Sequence, residues 1–215
     1  MDRSANLEEA QQRTLVALKP LIDRFGLYLA GGTAINWHLG HRRSRDLDLF
    51  TRRGSVDLQG IELALVAAGL PYQMLSMTDA ALKADFAGTP VDIVLYPYPP
   101  LEEPVVGPAA VPTATLLDLA AMKLATVSTR GIRRDFWDLY AICHAGVTLE
   151  TAMTAYVRRF GTARSDLYHV ARSLTWFEDA ERSDEWPEGL DEAAWQRIRG
   201  WFEAEAPSVL RRLPG

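Results

Sequence analysis

Apolar residues recur at helical spacing over residues 6–24 (Leu7, Leu15, Leu18, Leu21, Ile22) and stop before Gly26. The spacing predicts an amphipathic helix with a glycine C-cap, kinked near Pro20, where a backbone donor is missing. The short apolar run Leu27 to Ala30 predicts a strand, and Gly31-Gly32 then turns the chain into a short helix, Thr33 to Leu39, stopped by Gly40. From Asp46 to Thr51 acidic and apolar residues alternate, the period of a strand. Val56 to Ala68 predicts a helix closed by Gly69. Tyr72 to Met77 and Leu82 to Phe86 predict strands, and Gly88-Thr89-Pro90 predicts a turn into the strand Val91 to Tyr96. Helix–strand alternation with hairpin-like pairing at its end points to an α+β (α/β) core, a mixed β-sheet flanked by helices.

The proline-rich stretch Tyr96 to Pro100, continued by Pro104, Pro108 and Pro112, predicts a connector and a boundary. Beyond it only helical periodicity is found, over 115–129, 133–145, 149–160, 165–181 and 191–211. The expected organisation is a core over 1–112 and an all-helical C-terminal subdomain over 113–215. The 215 residues, 48% hydrophobic and 24% charged, have the composition of a soluble globular protein. The single cysteine, Cys143, excludes an internal disulfide, and its neighbours Leu139, Tyr140 and Ile142 predict a buried structural thiol. The opening Met1-Asp2-Arg3 has no signal-peptide pattern, and no run reaches the roughly 18 apolar residues that span a bilayer. A cytoplasmic location without a membrane partner is therefore expected.

The net charge of −5 argues against a general nucleic-acid coat protein. The charge is uneven, however. Arg42, Arg43, Arg45, Arg52 and Arg53 flank Asp46 and Asp48; Arg130, Arg133 and Arg134 form a second group; Glu178 to Glu192 is acidic. Basic patches on an acidic chain point to one confined polyanion site, the alternative being ordinary solvated surface arginines.

The densest chemistry lies between Leu29 and Phe50. Gly31-Gly32-Thr33 joins a strand to a helix start, where free N–H groups favour anions; a tight turn needing positive φ accounts for the same glycines. Asp46 and Asp48 sit two apart on the expected strand and so share a face, with Leu47 and Leu49 turned to the core. Hard oxygen ligands at this spacing suit Mg²⁺; an exposed edge with solvated acids is the plainer reading.

Taken together, Gly-Gly-Thr, a helix, and Arg-x-Ser-x-Asp-x-Asp resemble the DNA polymerase beta-like nucleotidyltransferase superfamily. More narrowly, the pattern is similar to the AbiEii/AbiGii-type toxin nucleotidyltransferases, which include the MenT toxins. Relatives carry Gly-Ser where this chain has Gly32-Thr33, so the hydroxyl is kept. The resemblance spans residues 25–145, and residues 146–215 carry no motif of it. It implies that Gly31, Gly32, Thr33, Arg43 and Ser44 hold an NTP and that Asp46 and Asp48 hold two Mg²⁺ ions, Mn²⁺ being an alternative. It also implies a third carboxylate on a later strand, for which Asp92 is the candidate. An acid in that otherwise apolar strand costs several kcal/mol if buried unpaired, and a metal would remove the cost.

The helical half adds a second signature. Lys123 falls on an apolar stripe with Leu116, Leu119, Ala120 and Val127, either snorkelling from the helix edge or, as the resemblance implies, meeting the nucleotide phosphates. Arg130-Gly-Ile-Arg-Arg134-Asp135-Phe-Trp-Asp138 follows. The resemblance places Arg134, Asp135 and Asp138 at the nucleotide. As structural residues, the acids would complement the helix dipole and Asp138 would pair with Arg134 at i,i+4. His38 and His41 are expected to be packed or surface residues rather than metal ligands; His144 and His169 have no ligand spacing. Trp176, Trp195 and Trp201 are expected in the core rather than as stacking platforms.

The implied activity is transfer of an NMP from an NTP to an acceptor hydroxyl, with Asp46, Asp48, Asp92 and Lys123 as the catalytic group. The implied acceptor is a tRNA 3′ end or another RNA, in a toxin–antitoxin or phage-defence setting with a cognate antitoxin. Transfer to a small-molecule hydroxyl and a non-catalytic binding module are the alternatives.

Overall fold

The computed structural model describes residues 6–51, 57–161 and 164–212, with the backbone alone at 164–166 and 210–212. Arg52 and Arg53, part of the arginine group near the acids, lie outside the described residues. Two compact units, Met1–Thr115 and Leu116–Gly215, make up the chain.

The first unit is a sheet with helices packed on it. α1 (Glu9–Phe25) leads into β1 (Leu27–Ala30) through Gly26, whose φ of 61° supplies the left-handed C-cap. Its helix runs on through Pro20. α2 (Gly31–Leu39) starts directly on the end of β1, and Gly31, with a φ of 67°, makes the expected turn at its first position. β2 (Leu47–Thr51) follows, and Asp46 stands just outside it, one residue short of the expected strand. α3 (Leu58–Ala67) is N-capped by Asp57, whose carboxylate accepts the Gln59 N–H. β3 (Gln73–Met77), β4 (Ala81–Phe86) and β5 (Thr89–Val94) form the late meander. β4 and β5 meet at a two-residue turn, Ala87-Gly88, that fixes their register.

Two short strands were not expected: β6 (Val105–Val106) and β7 (Pro112–Thr113), separated by a 3-10 turn at Pro108–Ala110. Two-residue strands carry no readable period, and proline masks them. β7 pairs in parallel with β1, so the proline-rich stretch belongs to the sheet. Among the described residues the sheet has seven strands in the order β3-β4-β5-β2-β1-β7-β6. Alternation does the sorting: Leu47, Leu49, Leu82, Ala84, Val91 and Ile93 are buried, while Asp48, Phe50, Asp92 and Val94 on the opposite face are half-buried.

The second unit is helical: α4 (Leu116–Thr129), α5 (Arg133–His144), α6 (Leu149–Phe160), α7 (Arg164–Ser173), α8 (Glu178–Arg182) and α9 (Glu192–Arg212). The single helix expected over 165–181 is broken at residues 174–177. There Leu174 and Phe177 both turn inward while Trp176 is left 52% exposed. Phe177, Trp195 and Phe202 close around Phe136 at ring distances of 5.0, 5.9 and 5.3 Å. Trp195 is core as expected; Trp201 is half-buried against Tyr140; Trp176 is not core. Cys143 is half-buried, and burial, reinforced by the charge of Glu205, pushes its thiol up to about 12, an unreactive thiol. Among the described residues no helix is long and apolar enough to cross a membrane.

Asp118 of α4 and Arg159 of α6 form an ion pair with both side chains fully buried. A charge left alone in that position is strongly unfavourable. Asp118→Ala is expected to cost about 3–5 kcal/mol, read as a lowered urea midpoint of the full chain. Asp118→Leu with Arg159→Met should recover most of it. A single variant with an unchanged midpoint would show that the pair is dispensable.

Candidate active site

β2 is the central bearer of acids. It runs antiparallel to β1 and parallel to β5, and its register sets Asp48 opposite Ala30 on one side and Asp92 on the other. Residues paired in this way point to the same face, on strands about 4.8 Å apart. Across β5 and β4 the same row continues to Lys83, paired with Asp92. Its ammonium lies 2.5 Å from Asp92 Oδ2. That hydrogen bond, with the charges of Asp92, Asp48 and Asp46, outweighs desolvation and holds the Lys83 pKa above its ordinary 10.5. Lys83 is a site residue that periodicity alone does not pick out; the two-residue turn at Ala87-Gly88 is the signal that would have placed it.

The glycines form the wall beside this row. Gly31 has a φ of 67°, and a Cβ there would land on the Asp48 carboxylate. A Cβ on Gly32 would sit 2.6 Å from Arg42 Nη2 and 2.9 Å from Ser44 Oγ. Gly31 is therefore required both for the close approach of Asp48 and for its backbone conformation, whereas a side chain at Gly32 would displace only the ends of Arg42 and Ser44. Thr33 is fully buried, and its hydroxyl donates to the Asp46 carbonyl. Its observed task is to pin the segment that carries the acids. Gln11 of α1 completes this lock: its Oε1 accepts the Glu8 N–H at 3.1 Å and its Nε2 donates to the Ser44 carbonyl at 2.8 Å. Gln11 was also missed, although a polar residue at a position aligned with Thr14, Leu15, Leu18 and Ile22 on the buried face is its signature. Arg43 is exposed, and its carbonyl accepts from the Arg42 guanidinium. His38 is packed, its Nε2 2.8 Å from the Ala114 carbonyl.

Among the described residues, no three His, Cys, Asp or Glu side chains are drawn together into a group that could hold a metal ion. Asp46, expected to complete a three-carboxylate set with Asp48 and Asp92, is exposed and lies just ahead of β2, and its charge still acts on Lys83. The in-register pair Asp48 and Asp92 still fits a hard divalent cation. Mg²⁺ usually takes one or two carboxylates and fills its remaining positions with water and phosphate oxygens. The lysine ammonium seated on Asp92 is direct evidence that the row attracts positive charge.

In the helical unit, Lys123 is buried with its ammonium 3.0 Å from Asp135 and 2.8 Å from Asp138, both acids fully buried. The snorkelling alternative is therefore wrong. Burial opposes the charged amine, but Asp138 and Asp135 outweigh it and raise its pKa above 10.5. Arg130 adds a two-pronged contact to Asp135, at 2.7 and 2.9 Å. Asp135 feels burial first, yet the Arg130 hydrogen bonds and the Lys123 charge hold its carboxyl below 3.8. The expected Arg134–Asp138 pair is not formed: Arg134 makes no ion pair among the described residues, and Asp138 is bound to Lys123. Arg133 is buried, donates to the Ser183 carbonyl and stacks 4.1 Å over Trp186. Within the second arginine group only Arg133 is internal; Arg130 is exposed although clamped on Asp135, and Arg134 is half-buried.

The family model described as nucleotidyl transferase AbiEii toxin, type IV TA system, matches residues 69–212. The match takes in Asp92, Lys123, Asp135 and Asp138, begins after Asp46 and Asp48, and extends well beyond residue 145, where the motifs had ended. The uncharacterized protein aq_aa25 of Aquifex aeolicus is 28% identical over 191 residues, covering 85% of this chain and 87% of that protein. Solved structures share the fold. MenT4, a nucleotidyltransferase toxin of Mycobacterium tuberculosis, aligns with TM-score 0.54 and 17% identity over 99% of this chain and 88% of its own. The antibiotic-resistance factor ANT(2'')-Ia gives 0.54 and 17% over 76% and 97%. JHP933 of Helicobacter pylori gives 0.53 and 15% over 99% and 95%.

Two outcomes check this geometry. Gly31→Ala should lower stability by at least about 1 kcal/mol from the left-handed backbone alone, and further through its overlap with Asp48. Gly69→Ala, where φ is 64° and nothing lies within 4 Å, isolates the backbone part. Equal melting shifts in the two would remove the Gly31–Asp48 contact. For Asp135, a depressed folded pKa means stability that is present above 3.8 and lost as pH falls through the lower folded value. Asp135→Asn should flatten that acid limb in urea unfolding measured across the acid range; an unchanged slope would contradict the assignment.

Proposed function

The chain belongs to the AbiEii nucleotidyl transferase toxin family of type IV toxin–antitoxin systems, and from that premise we propose that it moves an NMP from an NTP to the hydroxyl at a tRNA 3′ end. The reaction is Mg²⁺-dependent, with Mn²⁺ as a substitute. The setting is the cytoplasm, the outcome growth arrest in a toxin–antitoxin or phage-defence pair, and the partner a cognate antitoxin. The observation that carries this reading is the register that sets Asp48 beside Asp92 against the Gly31 backbone.

Asp48 and Asp92 would hold the metal, with Asp46 at the entrance. When bound, divalent ions neutralise triphosphate charge and favour in-line displacement at phosphorus. The residues of the chain do the rest. The backbone of Gly31 and Gly32 admits the phosphates closely. Ser44 and Arg43 border them. The acceptor hydroxyl oxygen bonds to the α-phosphorus, the bond from that phosphorus to the bridging oxygen breaks, and pyrophosphate leaves. Asp92 takes the hydroxyl proton through the carboxylate oxygen that does not face Lys83. Lys123, held by Asp135 and Asp138, is assigned the neutralisation of phosphate charge, which requires a phosphate to displace one of the two carboxylates, with Arg134 a further nucleotide contact.

Transfer to a small-molecule hydroxyl is the second reading, favoured by the net charge of −5, since tRNA binding gains from added Lys and Arg. Incubation with α-labelled NTPs and total tRNA, with and without Mg²⁺, tests the first: labelled tRNA should appear only with the metal. Asp48→Asn and Asp92→Asn should each cut the rate by more than about a hundredfold while melting normally. Label that enters small alcohols but not tRNA would select the second reading, and the absence of any metal-dependent transfer would overturn both.

A further inference from the structure

The helical unit carries a cleft of about 350 Å³ at the end of α4 and the turn between α7 and α8. Its walls include Arg130, Arg172, Trp176 and Asp179. The volume lies within the range of small-ligand sites. One wall is rigid: Arg130 is clamped on Asp135 by two hydrogen bonds, and His169 Nε2 sits 3.2 Å from the Ser128 carbonyl, tying α7 to α4. On the other wall Trp176 is 52% exposed, although its neighbours Leu174 and Phe177 are buried. The break between α7 and α8 thus leaves the Trp176 indole half exposed in a cleft that Arg130 and Arg172 also line. Arg172 makes no ion pair among the described residues.

We propose that this cleft binds an unpaired nucleotide of RNA, the base stacked on Trp176 and its phosphate met by Arg172. A flat aromatic face with an adjacent guanidinium is the chemistry that recognises a splayed base on a single strand. The Asp179 carboxylate supplies an acceptor for an exocyclic amino group. A duplex does not offer the face of its bases, so the occupant is single-stranded. The choice of RNA over DNA rests on the transfer reading above. The cleft then holds the acceptor strand, and its Arg130 wall is one hydrogen bond from Asp135, which steadies Lys123.

The test is fluorescence anisotropy of the full chain with a fluorescein-labelled single-stranded RNA octamer of mixed sequence. The octamer in duplex form and unlabelled NTP serve as comparison arms. Trp176→Ala should weaken single-strand binding about tenfold, the usual effect of removing one stacking platform, and Trp176→Phe should restore most of it. Arg172→Gln should weaken binding and reduce the salt slope by about one. Both exposed positions should leave the melting temperature unchanged. Duplex RNA should bind more weakly and be insensitive to Trp176→Ala.

Parental single-strand affinity in Trp176→Ala overturns the proposal, including the case where only Arg172→Gln weakens binding, since ionic attraction without stacking explains that. Competition by NTP at affinity equal to the RNA also overturns it, assigning the cleft to the donor nucleotide. The transfer assay is read separately. Transfer by the parent with a Trp176-independent RNA affinity removes the cleft alone; Trp176-dependent binding without any transfer keeps the cleft and removes the enzymatic reading.

Discussion

Everything at the candidate active site depends on how closely Asp48 approaches the backbone at Gly31. The carboxylate occupies the volume that any other residue at position 31 would fill with its Cβ. That contact is possible because β1 runs straight into α2 without a linker, so the helix start and the adjacent strand are forced together. The same strand is in parallel register with β5, which brings a second acid alongside. Like charges at strand spacing repel, and Lys83 from the next strand relieves the pair. One local backbone conformation therefore fixes a glycine wall, an acid pair and a counter-charge in a single row.

A second lock holds the approach to that row in place. The buried side chains of Gln11 and Thr33 donate to the carbonyls of Ser44 and Asp46, linking α1 and α2 to the segment before β2. The Gln11 amide and the Thr33 hydroxyl could not be left unsatisfied in the interior. The segment carrying Ser44 and Asp46 is thus ordered by side chains that themselves need not touch a substrate. Thr33, which motif reasoning assigns to a phosphate, holds the Asp46 carbonyl in the structure.

The helical unit uses charge differently. Its ionic groups are internal: Asp118 with Arg159, and Lys123 with Asp135, Asp138 and Arg130. Each set is balanced in charge, which is what makes burial tolerable. The cost falls on access, because Lys123 is already saturated by two carboxylates. Surface chemistry in this unit is left to the break between α7 and α8, where an aromatic residue and an arginine stand at the rim of a cleft.

Periodicity by itself determined most elements of the first unit, the helical nature of the second, and the acid-bearing strand opposite an apolar face, because burial on one side imposes those repeats on any chain. The spacing around Gly31, Asp46 and Asp48 likewise pointed to one site. It could not supply β6 and β7, which are too short to repeat, nor the break at residues 174–177, where the apolar pattern continues while the backbone turns. It also could not place Lys83 against Asp92, or show that Asp46 stands outside the strand. Strand pairing and side-chain reach join residues far apart in the chain, and only the folded structure decides those distances.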